Sequence, residues 1–452
     1  MNNGEQVDSA LAEWALGEAR KRGASAAEVL CVSGESIGAG VRLGEVEKLK
    51  SSRERRLGIR VFAGQSSATA STAELKRDSL AEFIGHTVEM ARLTASDPWS
   101  GLPDPAMHPQ SIPELGLSDP DHGIVDADRA LEIARKAERA AIGLDPRIKN
   151  SEGAEFHSGQ HRILFANSQG FSGEYAGSSF SLTVAPIAQD GDQMQVSYWY
   201  TANRRFEKLE DAESVGVTAA KRALRRLGAR KIKTTRAPVV FDPDMAAGLV
   251  RTVAGAASGP SLYRGASFLI GKLGQQIAAP AVTIIDDALM PGALGSKPFD
   301  GEGLPTSRKS LVERGTLATY LLDTYSARKL KLKPTGNASR SVGEAPTVSS
   351  TNLYLQPGSY SPEQIIGSVK QGLYLTEIIG FGVNLATGDY SRGAGGMWIE
   401  DGQLAYPVQE ITIAGNLKEM LTAIEMVGSD LHWRSSVAAP TLKISEMTIA
   451  GA

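Results

Sequence analysis

The sequence predicts an α+β fold, with helices and mainly antiparallel sheets in the N-terminal part and a β-rich C-terminal domain. Apolar residues recur at helical spacing in segments that bracket groups of short alternating runs, and such runs are typical of strands. From residue 237 onward glycine is frequent and strand-like runs such as APVVF, PAVTIID and EITIAG dominate. A chain of 452 residues is long enough for two or three domains.

The first predicted α+β unit covers residues 1–94. Apolar residues at helical spacing in residues 7–22 predict an amphipathic helix that ends at a glycine. The runs EVLCVS, LGIRVFAG and SSATAS then predict short strands joined by hairpins. Ser79 and Glu82 have the spacing of a capping box, so a second helix is expected to close the unit.

A proline-rich segment, residues 95–125, predicts a linker and a domain boundary. The second predicted unit, residues 126–236, reads as a helix, about four strands and another helix. Because this order repeats that of the first unit, we interpret residues 1–94 and 126–228 as variants of one helix-strands-helix unit. The β-rich C-terminal domain is then expected over residues 237–452.

Three local signals place elements within the C-terminal domain. Ser361 with Gln364 has the pattern of a capped helix start, and Asn416 predicts the start of another helix. Asp401-Gly402 lies between two strand-like runs and predicts a two-residue hairpin turn. These signals agree with a domain of short strands and few helices.

Composition and charge argue against several classes of protein. The formal net charge of -3 gives no general attraction to nucleic acid or to an anionic membrane. No stretch approaches 18 consecutive apolar residues, so no membrane-spanning helix is expected. A single cysteine, Cys31, cannot form an intramolecular disulfide, and the first residues lack the pattern of a signal peptide. We therefore expect a cytoplasmic protein.

The segment HSGQH, residues 157–161, raises the question of a zinc site because it contains two of the six histidines. A zinc helix of the H-E-x-x-H type needs a glutamate beside the first histidine, and the flanks AEF and RILFA are typical of strands instead. On one straight strand the two residues would lie about 13 Å apart, whereas a turn at Ser158-Gly159 would bring them closer. We interpret His157 and His161 as exposed hairpin residues, with a metal site as the alternative.

The segment GESIG, residues 34–38, has the spelling of a G-x-S-x-G nucleophile elbow. That elbow requires a helix after the serine, but alternating residues follow here, so Ser36 is interpreted as a hairpin residue. Four carboxylates are interpreted as charged loop residues rather than an acid/base pair: Asp286, Asp287, Asp300 and Glu302. No catalytic constellation follows from residue chemistry alone.

The segment GDYSRGAGG, residues 388–396, is rich in glycine but leads into a strand rather than a helix that could hold phosphate. Small residues leave the main chain accessible, so an extended peptide or a partner chain could approach it closely. The alternative is a turn that is packed for structural reasons.

The basic segment KRALRRLGARKIKTTR, residues 221–236, is interpreted as the cation-rich end of a helix followed by a solvated linker. A nucleic-acid patch is the alternative. It is disfavoured because no aromatic residue is interleaved with the cations.

Longer runs in the C-terminal half are more specific than any of these motifs. They include SFLIGKLGQQIAAPAVTIIDDALMPGALGSKPFDGEG, GDYSRGAGGMWIEDGQLAYPVQEITIAGNLKEM and TLKISEMTIAG, and LGIRVFAGQSSATASTAEL extends the pattern upstream. In these runs the chain resembles the TldD/PmbA family, in its PmbA (TldE) branch, over nearly its whole length. The resemblance implies a cytoplasmic zinc peptidase, in which one TldD chain pairs with one TldE chain and cleaves extended or unfolded peptides.

Zinc ligands distinguish the two branches of this family. The TldD branch carries H-E-x-x-x-H ahead of the run GASF and a late cysteine as a further ligand. The corresponding residues 246–268 contain no histidine and no carboxylate, and His432 stands alone near the C-terminus. The resemblance therefore implies a non-catalytic subunit with no cofactor of its own, and zinc is expected in a TldD-type partner.

The same resemblance implies that this chain forms one wall of a peptide cleft. Asp389, Tyr390 and Arg392 lie beside the glycines of residues 388–396 and are predicted to bind the substrate, with strands of this chain pairing with the peptide main chain. A homodimer is expected when the partner is missing, because a surface that binds a related chain can also bind a second copy.

Two other functions follow from features already described. A regulatory protein that binds DNA or gyrase would use residues 221–236 and would show strongly salt-dependent DNA binding. An autonomous hydrolase would use Ser36 or the pair His157 and His161.

Overall fold

The computed structural model describes residues 9–451 of the chain. The helices are α1 (Ser9–Lys21), α2 (Arg77–Leu93), α3 (Ala127–Ile142), α4 (Ala212–Leu224), α5 (Pro243–Ala256), α6 (Gly259–Tyr263), α7 (Thr324–Leu330), α8 (Pro362–Gly367) and α9 (Leu417–Thr422). The strands are β1 (Ala26–Arg42), β2 (Glu45–Ala63), β3 (Ser66–Thr72), β4 (Ile148–Asn167), β5 (Ser172–Asp190), β6 (Gln193–Val196), β7 (Trp199–Asn203), β8 (Thr235–Phe241), β9 (Ile284–Asp287), β10 (Arg308–Glu313), β11 (Thr316–Leu317), β12 (Ala338–Ser339), β13 (Thr347–Val348), β14 (Leu353–Leu355), β15 (Gln371–Ile379), β16 (Asp389–Glu400), β17 (Gln403–Asn416), β18 (Ile424–Val427), β19 (Val437–Ala438) and β20 (Leu442–Ala450). Together they confirm the predicted α+β class with a β-rich C-terminal region.

The two N-terminal strand groups form one seven-stranded sheet. Its order is β3-β2-β1-β4-β5-β6, and β7 also pairs with β5. The antiparallel ladder between β1 and β4 joins the two groups, because it runs without interruption from Glu28 opposite Asn167 to Val41 opposite Ala154. The element orders α1-β1-β2-β3-α2 and α3-β4-β5-β6-β7-α4 are found along the chain. The domain boundaries and the duplication stay predictions.

Four helices cover one face of this sheet. Along β1, Val29 packs in a cluster with α1 and α2, and Ala39 packs in a cluster with α3 and α4. Leu30 points to the opposite face, because neighbouring side chains of a strand alternate between faces. There it packs with Phe165 and with Phe299 of the C-terminal domain. The sheet therefore lies between a helical layer and the C-terminal domain.

The main strands of this sheet are longer than the short runs predicted from the sequence. β1 has 17 residues and β4 has 20. Ser36, which was expected in a hairpin, lies inside β1 and pairs with Ser52 of β2 and Gly159 of β4. No helix follows it, so the geometry of a nucleophile elbow is absent.

His157 and His161 both lie inside β4, so their predicted position in an exposed hairpin is wrong. Both imidazoles are half-buried, and burial lowers the pKa of each. Two neighbouring glycines, Gly159 and Gly177, make room for the imidazole rings. A Cβ atom at Gly159 would lie 3.1 Å from the Nε2 atom of His157, and one at Gly177 would lie 2.9 Å from the Nε2 atom of His161. These glycines are packing positions within strands, not turns.

The C-terminal domain is built on a closed ring of five strands. The order is β17-β16-β15-β8-β20, and β20 pairs back to β17. A second sheet has the order β11-β10-β9-β14-β19. One buried cluster joins the two sheets through α5, with Val239 and Leu375 from the ring, Val253 from α5, and Ile284 and Leu353 from the second sheet. Helix α5 is therefore central to this domain.

The local signals in the C-terminal domain are confirmed. The Ser361 side chain accepts a hydrogen bond from the backbone N–H of Gln364, whose side chain accepts one from Ser361 in return. Asn416 caps α9, and Asp401 and Gly402 have φ angles of 46° and 76°, as a two-residue hairpin turn requires. None of the helices within residues 9–451 is long and apolar enough to cross a membrane.

The capping box predicted for the second helix is wrong. Helix α2 already begins at Arg77, and its N-cap Lys76 makes no capping hydrogen bond through its side chain. Ser79 and Glu82 therefore lie inside the first turns of the helix. The spacing of a capping box occurs here without its geometry, because the apolar face of α2 begins with Leu80 only after the helix has started.

The linker and the basic segment both contact the C-terminal domain. Within residues 95–125, the carbonyl groups of Trp99, Gly101 and Leu102 accept hydrogen bonds from Arg328 of α7. In the basic segment Arg226 forms an ion pair with Glu377 of β15, with an N···O distance of 2.6 Å. The residues at the end of α4 are thus engaged within the fold, whereas most of residues 228–236 are exposed, as predicted for a solvated linker.

Candidate functional site

A cleft of about 720 Å³ opens on one side of the C-terminal domain. Its walls come from α5, from the start of β16 and the loop before it, from the segment before β20, and from the region around β7 in the N-terminal sheet. We call it the α5 cleft. Its polar and aromatic lining residues are Tyr198, Tyr200, Asp244, Arg251, Thr252, Phe381, Tyr390, Arg392, His432, Arg434 and Ser435.

One face of helix α5 packs in the domain core, and the opposite face lines the cleft. Asp242 caps it by accepting a hydrogen bond from the backbone N–H of Asp244, and Pro243 occupies the first turn. Val250 and Val253 are buried in the domain core. Positions 244, 248, 251, 252 and 255 line the cleft, and this spacing places them on one side of a helix. This helix was not predicted, although the Asp-Pro start was a usable signal.

Helix α5 is also the stretch where the family resemblance expects zinc ligands. Among the cleft residues only Asp244 and His432 have side chains of types that commonly bind zinc, and Asp244 already pairs with Arg434 at 3.0 Å. Across residues 9–451 no group of three or more His, Cys, Asp and Glu side chains is placed to hold a metal ion. The described residues of the cleft do not fit a zinc site.

The strand β16 brings two of the three predicted substrate-binding residues to the cleft. Tyr390 and Arg392 lie two positions apart, so their side chains share one face of the strand, and both line the cleft. Asp389 points to the opposite face. There its carboxylate accepts hydrogen bonds from Thr387 at 2.6 Å and Asn416 at 3.1 Å. Substrate binding by these residues stays a prediction.

The glycine-rich run in β16 is not open to an added strand. β16 pairs with β17 along one edge, and along the other with β15 from Gly393 onward and with the loop residues 382–384 before it, so both of its hydrogen-bonding edges are occupied. A Cβ atom at Gly396 would lie 2.0 Å from the carbonyl oxygen of Tyr374, and one at Gly393 would contact Ile379 at 3.4 Å. The glycines let β15 approach closely. The predicted strand addition at residues 388–396 therefore finds no free edge, and the alternative of a packed turn does not apply either, because Gly393 and Gly396 lie within a strand.

The arginines of the cleft differ in their partners. Arg434 is fixed by Asp244, and its guanidinium lies 4.0 Å from the ring centroid of Trp199. Arg392 and Arg251 have no carboxylate within 4.0 Å anywhere in the part of the chain that the structure describes. The Nε atom of Arg392 is also buried and has no hydrogen-bond partner among these residues. The cleft thus contains two cations whose charge is not compensated by a neighbour.

Aromatic rings form the rim and floor of the cleft. Tyr198 and Tyr200 stack with ring centroids 6.3 Å apart, and the side chain of Phe381 is fully exposed. Burial raises the pKa of Tyr390 to about 12, although the charge of Arg392 opposes this change. Burial also raises the pKa of Tyr200. These phenols stay protonated near neutral pH and can donate hydrogen bonds to a ligand.

The carboxylates predicted as charged loop residues are mostly buried, away from the cleft. Asp286, Asp300 and Glu302 are at most 3 % exposed. Asp286 accepts hydrogen bonds from the backbone and side chain of Thr351 and from Asn337. The loop prediction is wrong for Asp286, which lies in strand β9, and it is correct for Asp300 and Glu302, although both of these are buried rather than exposed.

Models of known protein families match the chain in three consecutive segments. Models of the PmbA/TldA metallopeptidase family match residues 27–91 with domain 1, residues 120–227 with the central domain and residues 234–451 with the C-terminal domain. The chain belongs to the PmbA/TldD metallopeptidase family. This membership confirms the resemblance seen in the sequence.

Two relatives that match this chain over nearly their whole length carry the PmbA name. The metalloprotease PmbA of Escherichia coli O157:H7 is 38% identical over 447 residues, which cover 99% of this chain and 96% of the relative. A PmbA homologue of Haemophilus influenzae is 36% identical over 449 residues, which cover 99% of this chain and 97% of the relative. These similarities extend over essentially the whole length of both proteins.

Solved structures of family members have the same fold. A crystal structure from Bacteroides thetaiotaomicron superposes with a TM-score of 0.92 at 29% identity and covers 99% of this chain and 100% of its own. TldE from Thermococcus kodakarensis gives a TM-score of 0.89 at 23% identity and covers 98% and 100%, a likeness of fold alone. The Bacteroides protein carries a name that refers to modulation of DNA gyrase.

Proposed function

We propose that this chain is the non-zinc subunit of a heteromeric metallopeptidase of the PmbA/TldD family, and that its α5 cleft contacts the peptide substrate. The main support is the cleft itself. At the helix where the family resemblance expects zinc ligands, this chain has Gly248, Arg251 and Thr252, with Arg392 facing them. The cleft is therefore suited to binding rather than to metal-dependent chemistry.

In this proposal the zinc-containing chain supplies the metal, which polarises the peptide carbonyl and activates water. The residues of this chain bind and orient the peptide. Tyr390 and Tyr200 donate hydrogen bonds, and Tyr198 and Phe381 provide apolar surface for substrate side chains. Holding the peptide in place raises the rate because the reacting groups no longer have to find each other.

Assembly and location belong to the same proposal. A TldD-type chain is the proposed partner, and a homodimer is proposed when that partner is missing. A cytoplasmic setting is proposed because the chain has one cysteine, Cys31, and that side chain is buried.

The test is to measure bound zinc and peptidase activity for this chain alone, for a TldD-type chain from the same cell alone, and for the mixture. We expect a stable complex in which activity and zinc appear with the TldD-type chain and activity rises when this chain is added. A matched sample with excess chelator should lose activity without losing this chain's fold. Stoichiometric zinc and activity in this chain alone would contradict the proposal.

The DNA or gyrase alternative gains no specific support. Arg226 of the basic segment is committed to Glu377, and Arg222 lies over the ring of Trp199. Cations that are engaged within the molecule are less available to phosphates. The alternative of an autonomous hydrolase gains none either, since Ser36 makes no hydrogen bond to a histidine among the described residues, and His157 and His161 lie on one continuous strand.

A further inference from the structure

The α5 cleft carries a positive charge on a protein whose net charge is negative. Its charged lining residues are three arginines and one aspartate, whereas the whole chain has a formal net charge of -3. Arg434 and Asp244 pair with each other, so Arg251 and Arg392 carry the excess. A cleft lined by one sign of charge concentrates ligands of the opposite sign.

Arg392 is held in the cleft without a carboxylate partner among the described residues. It lies on β16 opposite Ile413 of β17, and its two neighbours are held on the other side, Gly393 opposite Ile379 of β15 and Ser391 by a backbone hydrogen bond to Gly382, so its backbone is firmly placed. Its Nε atom is buried and has no partner among the described residues. A partly buried cation without a counter-charge is unfavourable, so structural stability does not explain its presence. An arginine fork matches a carboxylate in shape and can donate two parallel hydrogen bonds to it.

We propose that the α5 cleft is a carboxylate-binding site for peptides, in which Arg392 binds the carboxylate and Arg251 adds a second positive charge. The inference rests on the proposed function, since it takes the ligand of the cleft to be a peptide. Tyr198 and Phe381 accept the apolar side chain next to the carboxylate. An inorganic anion would make no use of these rings.

A carboxylate can come from the C-terminus of a peptide or from an acidic side chain. A C-terminal anchor fixes one end of the substrate, so the complex would cut peptides at a set distance from their C-terminus. An acidic side chain would instead select internal sequences. Both sources use the same chemistry in the cleft.

The experiment measures binding of a fluorescently labelled hexapeptide by anisotropy in three forms: a free acid, a C-terminal amide, and an amide with an internal glutamate. We expect the free acid to bind at least tenfold more tightly than the plain amide, and we expect Arg392→Gln to remove this difference. If the glutamate amide and the free acid bind equally tightly, the cleft accepts a carboxylate from either the C-terminus or an acidic side chain. A tighter glutamate amide with no advantage for the free acid would assign the carboxylate to an acidic side chain, whereas equal binding of all three forms to the unmodified protein would overturn the proposal.

Matched variants guard against indirect effects. Arg20→Gln removes an exposed arginine of α1 and should leave the preference for the free acid unchanged. Arg392→Lys keeps the charge but loses the fork, so it should retain part of the preference. If Arg392→Gln unfolds, Arg251→Gln provides the second measurement, with a smaller expected loss. If a folded Arg392→Gln protein keeps the full preference for the free acid, Arg392 does not bind the carboxylate.

The outcome can be separated from that of the proposed function. If the mixed complex has peptidase activity but neither the free acid nor the glutamate amide binds more tightly than the plain amide, the carboxylate site is excluded while the subunit proposal stands. If the mixture shows no peptidase activity but the free acid binds preferentially through Arg392, the subunit proposal fails and the carboxylate site stands.

Discussion

Two groups of charged residues in the C-terminal domain differ in whether their charges are satisfied. Asp286 is fully buried and accepts hydrogen bonds from Thr351, Asn337 and Lys309, with distances from 2.6 to 3.4 Å. Arg392, in the α5 cleft, has no carboxylate neighbour within the described range. The first arrangement is what a folded domain needs for its own stability. The second is the arrangement on which the proposed carboxylate site rests.

The contrast shows that burial and unusual ionisation do not identify a functional site by themselves. Glu302 has a strongly perturbed pKa, yet its carboxylate accepts a hydrogen bond from the backbone N–H of Thr324 inside a closed network. Perturbed groups also occur in structural networks. A charge that lacks a partner and faces an open cleft is the more useful signal.

The largest effect is expected for Asp286→Ala. The substitution leaves Lys309, Asn337 and Thr351 without their acceptor in a buried place, and should lower the free energy of unfolding by roughly 3–5 kcal/mol. Urea unfolding measures the loss. As a control, Glu35→Ala breaks an exposed ion pair with Arg53 and should change stability little. Similar losses of free energy of unfolding in both variants would show that the buried and the exposed carboxylate do not differ in this respect.

The next effect depends on pH and concerns Glu302→Gln. Burial, with the charges of Asp300 and Asp323, raises the pKa of Glu302 from 4.5 to about 8. The folded protein therefore keeps a proton that the unfolded chain releases between these values, and stability falls as pH rises through this window. The glutamine variant lacks this fall. Its stability relative to the unmodified protein should rise by up to about 1.4 kcal/mol per pH unit from about pH 5 to 8.

Melting temperatures of both proteins at several pH values test this prediction. The difference between them should be constant below about pH 4, where glutamate is protonated in both states. Parallel profiles across the whole range would show that Glu302 does not hold the extra proton.

The smallest effects compare two arginines of the cleft. Arg434→Gln loses the ion pair with Asp244 and the contact with Trp199, so it should lower stability by about 1–2 kcal/mol. Arg392→Gln loses no ion pair and should stay within about 0.5 kcal/mol of the unmodified protein. Urea unfolding of the two variants gives the comparison. A larger loss for Arg392→Gln would mean that this residue serves the fold.

The sequence predicted features that depend on neighbours along the chain. The capped start of α8 at Ser361 and the turn at Asp401-Gly402 were correct because a few adjacent residues decide them. In the cleft, Tyr390 and Arg392 were found through their glycine neighbours. Asp389 was grouped with them, although the alternation of side chains along β16 turns it away.

Features that depend on distant segments were missed. Gly159 looked like a turn residue, but it makes room for the imidazole of His157. Asp286 looked like a loop carboxylate because its donors Asn337 and Thr351 lie far along the chain. Whether Arg392 has a partner is likewise a property of the folded molecule, so the unpaired cations of the cleft could not be read from the sequence.

The ladder between β1 and β4 has a consequence for how the chain folds. Glu28 pairs with Asn167, so β1 has only one neighbour until the ribosome has delivered β4. Such distant pairings slow folding, because a long loop must close before the contacts form. During synthesis β1 therefore has an open edge that other chains could join. Two separately expressed halves divided within residues 95–125 would each carry one such edge, and each half is the natural complement of the other.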